Sequence, residues 1–178
     1  LRPNAVVIVA TIRALKHHGG ANKDEYGTPN LDYVKKGLEN LDKHIDNMKH
    51  FGFTPVVALN KFHTDTDEEI ALVEERCKQH SIAMAVNDGW ANGGDGATDL
   101  AEKVLSAAKS CPSCFHPIYE LDWTMEQKIE TIATKMYGAA GVEYSLKARK
   151  DLKTIDELGL SNLAVCMAKT QNSLSDNK

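Results

Sequence analysis

Three short apolar segments alternate with amphipathic stretches over the first 110 residues, and this alternation constrains the fold more than any other feature. Residues 4–10 form a β-branched run without polar alternation, which is typical of a strand buried on both faces. Residues 55–60 and 81–86 are the second and third apolar segments, and a helical pattern follows each of the three. Such repeats predict an α/β fold with a mostly parallel sheet and flanking helices. A buried strand at the very start also predicts that the chain is a segment of a longer polypeptide.

The helical patterns between the strands carry start and stop signals. Steps of three and four predict one long helix whose apolar stripe is formed by Leu31, Val34, Leu38, Leu41, Ile45 and Met48. Asn30 is its expected N-cap, and Gly52 follows its end. Thr66 and Glu69 predict a capping box for a second helix, and a third helix is expected around Leu100.

The chain changes character near residue 112, where a turn-rich stretch begins. Beyond it, Thr124 and Gln127 predict a capped helix that ends at Gly138. A further helix is expected from Ser145 to Gly159, and residues 163–167 predict another strand. The expected domains are therefore residues 1–112 and a smaller helical α/β subdomain over residues 113–178.

Composition argues against two classes of partner. The chain has 21 Lys and Arg against 25 Asp and Glu, a formal net charge of -4, so nucleic acid is not an expected ligand. Its apolar runs are far too short to span a bilayer, so a membrane is not an expected partner. Four cysteines without a signal peptide indicate reduced thiols of the cytosolic type.

Three polar stretches are expected to meet at one edge of the sheet. TIRALKHHGG follows the first strand, NKFHTDTDEE the second and NDGWANGGDG the third. Ligands of parallel sheets bind beyond the carboxyl ends of the strands. These stretches therefore form the candidate site.

Two aromatic residues in these stretches have two interpretations each. Trp90 lies in a glycine-rich loop, where its indole either packs under the loop as a lid on the core or receives a flat ligand. Phe62 either closes the end of a strand or forms the second wall of a slot for a flat ring.

Several polar residues of the same stretches are candidate contacts for a nucleotide or an anion. Asn60 and Lys61 could recognise a base, or they could form a turn with a solvated lysine. Arg13 and Lys16, beside two histidines and two glycines, suit a phosphate or carboxylate, with a solvated loop as the alternative.

Two further clusters contain possible metal ligands but are not interpreted as metal sites. The acidic stretch of residues 65–69 could bind a hard cation, but N-terminal helix capping is the preferred interpretation, and no metal site is predicted. Cys111 and Cys114 could form a redox pair or half of a zinc site, for which His116 is the only nearby further ligand. Without a fourth ligand or a strand-to-helix turn, they are interpreted as incidental thiols.

Five stretches spread along the chain carry a resemblance to one known family. They are VVIVATIRALKHHGG, NLDKHIDNMKHFG, PVVALNKFHTDTDEE, KIETIATKMYGAAGVE and NLAVCMAKTQNSLSD, in that order. Together they resemble formate–tetrahydrofolate ligase over nearly all 178 residues. The resemblance implies a P-loop NTPase-like fold and ATP-dependent joining of formate to tetrahydrofolate through formyl phosphate, with ATP and Mg²⁺ required and a monovalent cation allowed. It also implies a cytoplasmic enzyme, without excluding the mitochondrion, whose full-length chain forms a homo-oligomer.

The resemblance implies roles for Phe62 and Trp90, because that family stacks a Phe and a Trp on the flat ring system of the folate. The sequence departs from the family pattern in three places. It contains no G-x-x-x-x-G-K-[ST] phosphate loop, so the residues that hold ATP and formyl phosphate are not assigned. A proline is expected where Ala164 stands, and no cysteines are expected at positions 111 and 114.

The leading hypothesis is the folate-binding segment of a formate–tetrahydrofolate ligase, inactive on its own, which positions tetrahydrofolate without supplying a nucleophile or a general base. The alternative is a catalytically inert interaction or assembly domain that retained the fold and exposes an apolar patch along the edge of the sheet. A thiol-redox module is a third hypothesis.

Overall fold

The computed structural model describes residues 2–110, 115–167 and 174. It comprises two compact units, Leu1–Phe115 and His116–Lys178. The described residues of the first unit form a three-stranded sheet, five α-helices and two short 3-10 helices, and those of the second unit are built from helices. The fold class predicted from the strand–helix repeats is confirmed: the protein is α/β, with helices flanking a parallel sheet.

The sheet consists of β1 (Val7–Ala10), β2 (Val56–Asn60) and β3 (Ala83–Asn87), in that spatial order. Both pairings are parallel, so all three strands end at the same edge. β2 lies in the middle, and its first four side chains are buried. This central position fixes where the two following loops emerge.

Five helices surround the sheet: α1 (Ile12–His18), α2 (Leu31–His50), α3 (Asp67–Gln79), the short α4 (Gly89–Asn92) and α5 (Thr98–Ser110). The first three pack with one sheet face around a core that contains Ile12, Leu15, Val34, Leu38, Leu41, Ile45, Val57, Leu59, Val73 and Cys77. α5 packs against β3 and β2. The predicted caps are confirmed: Asn30 accepts two main-chain N–H groups of α2, and Thr66 and Glu69 form a capping box on α3.

The prediction that the first strand is buried on both faces is wrong. In the described chain β1 has β2 as its one neighbour, and α5 lies over β2 and β3 and leaves part of β1 uncovered. Val9 is therefore 63% exposed and Val7 is also exposed, whereas Ala10 is buried. The local sequence shows that the segment is apolar, but its burial depends on how many strands and helices lie beside it in the assembled sheet.

The stretch after β1, which the sequence suggested was a polar loop, is helix α1. Thr11 is its N-cap and accepts the N–H of Ala14 at 3.0 Å. α1 crosses α2 so closely that a Cβ on Gly37 would lie 1.9 Å from the carbonyl oxygen of Leu15. Gly19 makes an equally close approach to the main chain of α2. Glycine is therefore required at the crossing, and α1 is fixed against α2.

The second unit contains α6 (Met125–Thr131), a π-helical turn (Ile132–Met136) that continues it, and α7 (Leu146–Glu157). The predicted capping box of Thr124 and Gln127 is confirmed. The strand predicted over residues 163–167 is wrong, because the described chain offers that segment no ladder partner. Side chains hold it instead: the Tyr119 hydroxyl accepts the N–H of Val165 at 3.0 Å.

Candidate functional site

The carboxyl ends of β2 and β3 are joined by their last residues. The Nδ2 of Asn87 donates to the Oδ1 of Asn60 at 2.7 Å, and the main-chain N–H of Lys61 donates to the carbonyl of Asn87 at 3.0 Å. These two bonds extend the strand pairing past the end of the sheet. The loops that carry Phe62 and Trp90 therefore leave from adjacent points.

Phe62 is held in a tight turn and keeps part of its ring accessible. Its main-chain N–H donates to the Oδ2 of Asp65 at 2.8 Å, and the N–H of Asp65 donates back to its carbonyl at 3.0 Å. The guanidinium carbon of Arg13 lies 4.2 Å from the centre of the Phe62 ring, within cation–π range. Phe62 is 37% exposed, so the contact with Arg13 leaves part of the residue accessible to a ligand.

Trp90 stands on α4 and is 93% exposed. Its loop is closed beneath it by the N–H of Asp88, which donates to the carbonyl of Gly96 at 3.0 Å. The backbones approach so closely that a Cβ on Gly96 would lie 2.4 Å from the carbonyl oxygen of Asp88. The glycines thus allow a compact loop, and the interpretation of Trp90 as a lid packed on the core does not fit its exposure.

Lys16 is fully buried and has no donor left for a ligand. Its ammonium lies 2.7 Å from the Oε1 of Glu69, and it donates to the carbonyls of Tyr26 and Thr28 at 3.2 and 2.9 Å. An ammonium has three N–H donors, and these contacts use all of them. Lys16 therefore fastens α1 to α3 and to the chain before α2, which is a structural task.

Glu69 sits at the centre of this network. Burial alone would raise its pKa, but the hydrogen bond from Lys16 and those from the main-chain N–H groups of Asn30 and Thr66 outweigh burial and lower its pKa. The carboxylate is consequently charged at neutral pH. The acidic stretch of residues 65–69 thus contributes a helix cap and a buried ion pair.

Two complementary polar atoms beneath Phe62 lack partners among the described residues. The Nε of Arg13 is a buried donor, and the Oδ1 of Asp65 is a buried acceptor. Burial raises the pKa of Asp65, and the hydrogen bond from the N–H of Phe62 offsets part of that rise. Polar atoms of this kind are costly to leave unpaired, so a water molecule or a polar group of a ligand is expected to bind them.

The site thus has an exposed indole, Trp90, and a phenyl ring, Phe62, that contacts Arg13, on loops that follow adjacent strand ends. Comparison with protein-family models matches residues 1–178 to the family described as formate–tetrahydrofolate ligase. The chain belongs to the formate–tetrahydrofolate ligase family. That family implies a carbon–nitrogen ligase of one-carbon metabolism, with formate, tetrahydrofolate and ATP as substrates.

The described part of this ligase-family chain holds no cluster of metal ligands. The sequence contains no G-x-x-x-x-G-K-[ST] loop, and residues 2–110, 115–167 and 174 contain no group of three His, Cys, Asp or Glu that could hold a metal ion. Cys111 and Cys114 lie outside the described residues. In the same described ranges, no helix has the length and apolar character needed to cross a membrane.

Sequence reasoning missed three features of the site: helix α1, the buried pair of Lys16 with Glu69, and Asp65. The signal for α1 was present, because Thr11 precedes a segment whose Ile12 and Leu15 are spaced for one helical face. The roles of Lys16 and Asp65 depend on residues that only the tertiary fold brings together.

Proposed function

We propose that this chain is the folate-binding portion of a formate–tetrahydrofolate ligase that makes 10-formyltetrahydrofolate through formyl phosphate. The observation that carries the proposal is the 93% exposed indole of Trp90 beside the strand end that bears Phe62. A large apolar ring held in solvent by a closed loop has little value for folding, whereas a flat ligand can stack on it.

Phe62 and Trp90 bind the flat ring system of tetrahydrofolate. Arg13 backs the Phe62 ring, and Asp65 fixes the main chain of Phe62 through two hydrogen bonds. These residues orient the tetrahydrofolate amine and exclude water from it, and none of them acts as a nucleophile or a general base. This portion therefore contributes to catalysis by positioning tetrahydrofolate.

Two of the remaining polar candidates stay available for an anionic group. Among the described residues Arg13 forms no ion pair, and the half-buried side chain of Lys61 forms no hydrogen bond or ion pair. We assign these two cations to the carboxylates of the folate or to formyl phosphate. Asn60 already accepts a hydrogen bond from Asn87, so we propose it as a support for the adjacent strand ends and as a secondary contact to a nucleotide.

ATP and Mg²⁺ supply the activated formyl group in this family, and no residue of this chain is assigned a catalytic part in forming it. The 178-residue chain is therefore expected to bind tetrahydrofolate without formate-dependent ATP hydrolysis. Formate-stimulated phosphate release by a pure sample would contradict this assignment.

An assembly role without folate binding is the second candidate, and the exposed Val7 and Val9 on β1 favour it. Such apolar side chains on a sheet edge suit contact with another polypeptide. The two functions differ in a direct test, because only the first requires affinity for tetrahydrofolate.

Intrinsic fluorescence provides this test, because the chain has two tryptophans. In a Trp123→Phe variant, Trp90 is the only indole, and anaerobic titration with tetrahydrofolate should change its emission saturably. The matched control is Trp90→Phe, which keeps Trp123 and should show only the inner-filter effect. Equal responses of the two variants, or no heat of binding in calorimetry, would overturn folate binding.

A further inference from the structure

A cleft lies at the amino edge of the sheet, where the strands begin, whereas Phe62 and Trp90 follow the ends of β2 and β3. Its volume is about 490 Å³, within the range of about 300–1,000 Å³ that is typical of small-molecule sites. The last two turns of α5 form one wall, and the segment before β1, the loop before β2 and the turn before β3 form the rest. All of its described lining residues belong to the first unit. This amino-edge cleft is therefore separate from the candidate folate site.

The amino-edge cleft has an apolar floor and a polar rim. The floor consists of buried side chains, those of Phe53, Pro55 and Val56. The rim carries the hydroxyl groups of exposed residues, which are Thr54, Ser81, Ser106 and Ser110. In the part of the chain that the structure describes, the hydroxyls of Thr54, Ser81 and Ser106 form no hydrogen bond within the protein. An apolar surface with a few polar groups beside it is the usual lining of a small-molecule site.

Lys103 gives the amino-edge cleft its charge. It is the one ionisable side chain among the described residues that line the cleft. Its ammonium lies 2.6 Å from the Oδ2 of Asp99, one turn earlier on α5, and the Lys103 side chain stays 35% exposed. An ammonium has three N–H donors, and this contact uses one of them. Two donors therefore remain for an anionic group in the cleft.

Ser81 holds a backbone conformation that glycine usually supplies. Its φ is 57°, and within the described ranges it is the one residue other than glycine with a positive φ. Its N–H donates to the carbonyl of Lys78 at 3.0 Å, so Ser81 closes the end of α3. Glycine adopts this conformation at lower cost, but it has no hydroxyl to place at the rim. A local backbone cost at a residue that lines a cleft is typical of binding sites.

We infer that the amino-edge cleft binds a small amphipathic anion, a carboxylate with a flat or aliphatic body. The apolar body lies on the buried floor, where contact with the ligand removes further apolar surface from water. The carboxylate accepts charge-assisted hydrogen bonds from Lys103 and neutral ones from the hydroxyls of the rim. The inference does not depend on folate binding, because Phe62 and Trp90 do not line this cleft.

Three ligands of nearly equal shape test the charge preference. Benzoate is anionic, benzamide is neutral and benzamidine is cationic, and each is titrated into ¹⁵N-labelled protein while amide chemical shifts are followed. Benzoate should shift the amides of Ser106 and Ala107 saturably and leave the indole N–H of Trp90 unmoved. Benzamide should bind about tenfold more weakly, because it cannot accept a charge-assisted bond of the same strength, and benzamidine should not bind.

The same titration can overturn the inference. Equal affinities for the three ligands would exclude recognition of an anion by Lys103. Shifts confined to the loop of Trp90, or no saturable shift with benzoate, would exclude the amino-edge cleft as its site.

A pair of lysine variants locates the contact with the carboxylate. Lys103→Met keeps the apolar stem and removes the ammonium, so it should weaken benzoate binding about tenfold and leave benzamide binding unchanged. Lys109→Met is the matched control, because Lys109 is an exposed lysine of the same helix that does not line the cleft. An equal loss of benzoate affinity in the two variants would refute the role of Lys103.

Ser81→Gly separates binding from folding, because the two should change in opposite directions. Glycine relieves the backbone cost at φ 57°, so the melting temperature should stay or rise. Loss of the hydroxyl should weaken benzoate binding by roughly 2- to 10-fold. A Ser81→Gly protein that binds benzoate as tightly as wild type would contradict the place of Ser81 in the site.

Discussion

Replacing Trp90 by alanine separates a ligand-stacking role from a structural one, because the two roles predict opposite patterns of damage. The indole is 93% exposed, so its removal uncovers almost no protein surface. Substitutions at such positions change the free energy of unfolding by about 0.5 kcal/mol or less. A buried Trp would instead cost about 3–5 kcal/mol on truncation.

The binding cost of the same substitution is much larger. Stacking of a flat heterocycle on an aromatic side chain contributes about 1–3 kcal/mol, which corresponds to a loss of roughly 5- to 150-fold in affinity for tetrahydrofolate. Phe62→Ala should weaken binding by a comparable factor, with an added loss of stability because Arg13 loses its ring contact. Since the two rings contact one ligand, the double variant should depart from additivity.

Urea unfolding and calorimetric titration with tetrahydrofolate on the same samples measure both quantities. Trp123→Ala is the matched control, a partly exposed Trp of the second unit, and it should leave the affinity unchanged. The stacking role is refuted by a Trp90→Ala protein that keeps wild-type affinity, or by one that loses several kcal/mol of folding stability.

Four other perturbations test the residues that support the site. Lys16→Met should destabilise the fold by about 3–5 kcal/mol in urea unfolding, because it leaves the Glu69 carboxylate buried without its cation. Because the fold lowers the pKa of Glu69, its contribution to wild-type stability should be complete above about pH 4.5 and lost as the pH falls toward the folded-state pKa, and a Glu69→Gln variant should flatten that part of the profile. Burial raises the pKa of Asp65, so its pH dependence is opposite to that of Glu69: wild-type stability falls as the pH rises through the folded-state pKa and Asp65 ionises. Asp65→Asn keeps an acceptor for the N–H of Phe62 and cannot ionise. The stability of this variant relative to wild type should therefore be greater at pH 7 than at low pH. Gly37→Ala should lower the melting temperature strongly, since its Cβ would lie 1.9 Å from a carbonyl oxygen, whereas Gly94→Ala, with open space around the added Cβ, should have little effect.

The sequence was most informative where structure depends on nearby residues. The caps at Asn30, Thr66 and Thr124 were predicted correctly, because capping needs a side chain and the N–H groups two or three residues later. The placement of Phe62 and Trp90 after neighbouring strands also followed from sequence, since strand ends in a parallel sheet share one edge.

The features that were missed or wrong depend on the assembled chain. Lys16 was interpreted as a candidate contact for a phosphate or carboxylate, because it precedes two histidines and two glycines, but its ammonium is paired with Glu69, which lies on another helix. The exposure of Val9 and the absence of a strand over residues 163–167 in the described chain have a common cause. β-Branched residues favour an extended backbone. Whether the segment is buried, and whether it pairs with another strand, depends on which elements lie beside it.

The close crossing of α1 and α2 has a consequence for motion at the site. A helix of seven residues is too short to persist by itself, so α1 exists only while α2 and Glu69 hold it. Its amide protons should therefore exchange with solvent deuterium at rates that follow those of α2, instead of the fast rates of a fraying short helix. Arg13 lies on α1, so a cooperative opening of this helix would also break the cation–π contact between Arg13 and the Phe62 ring.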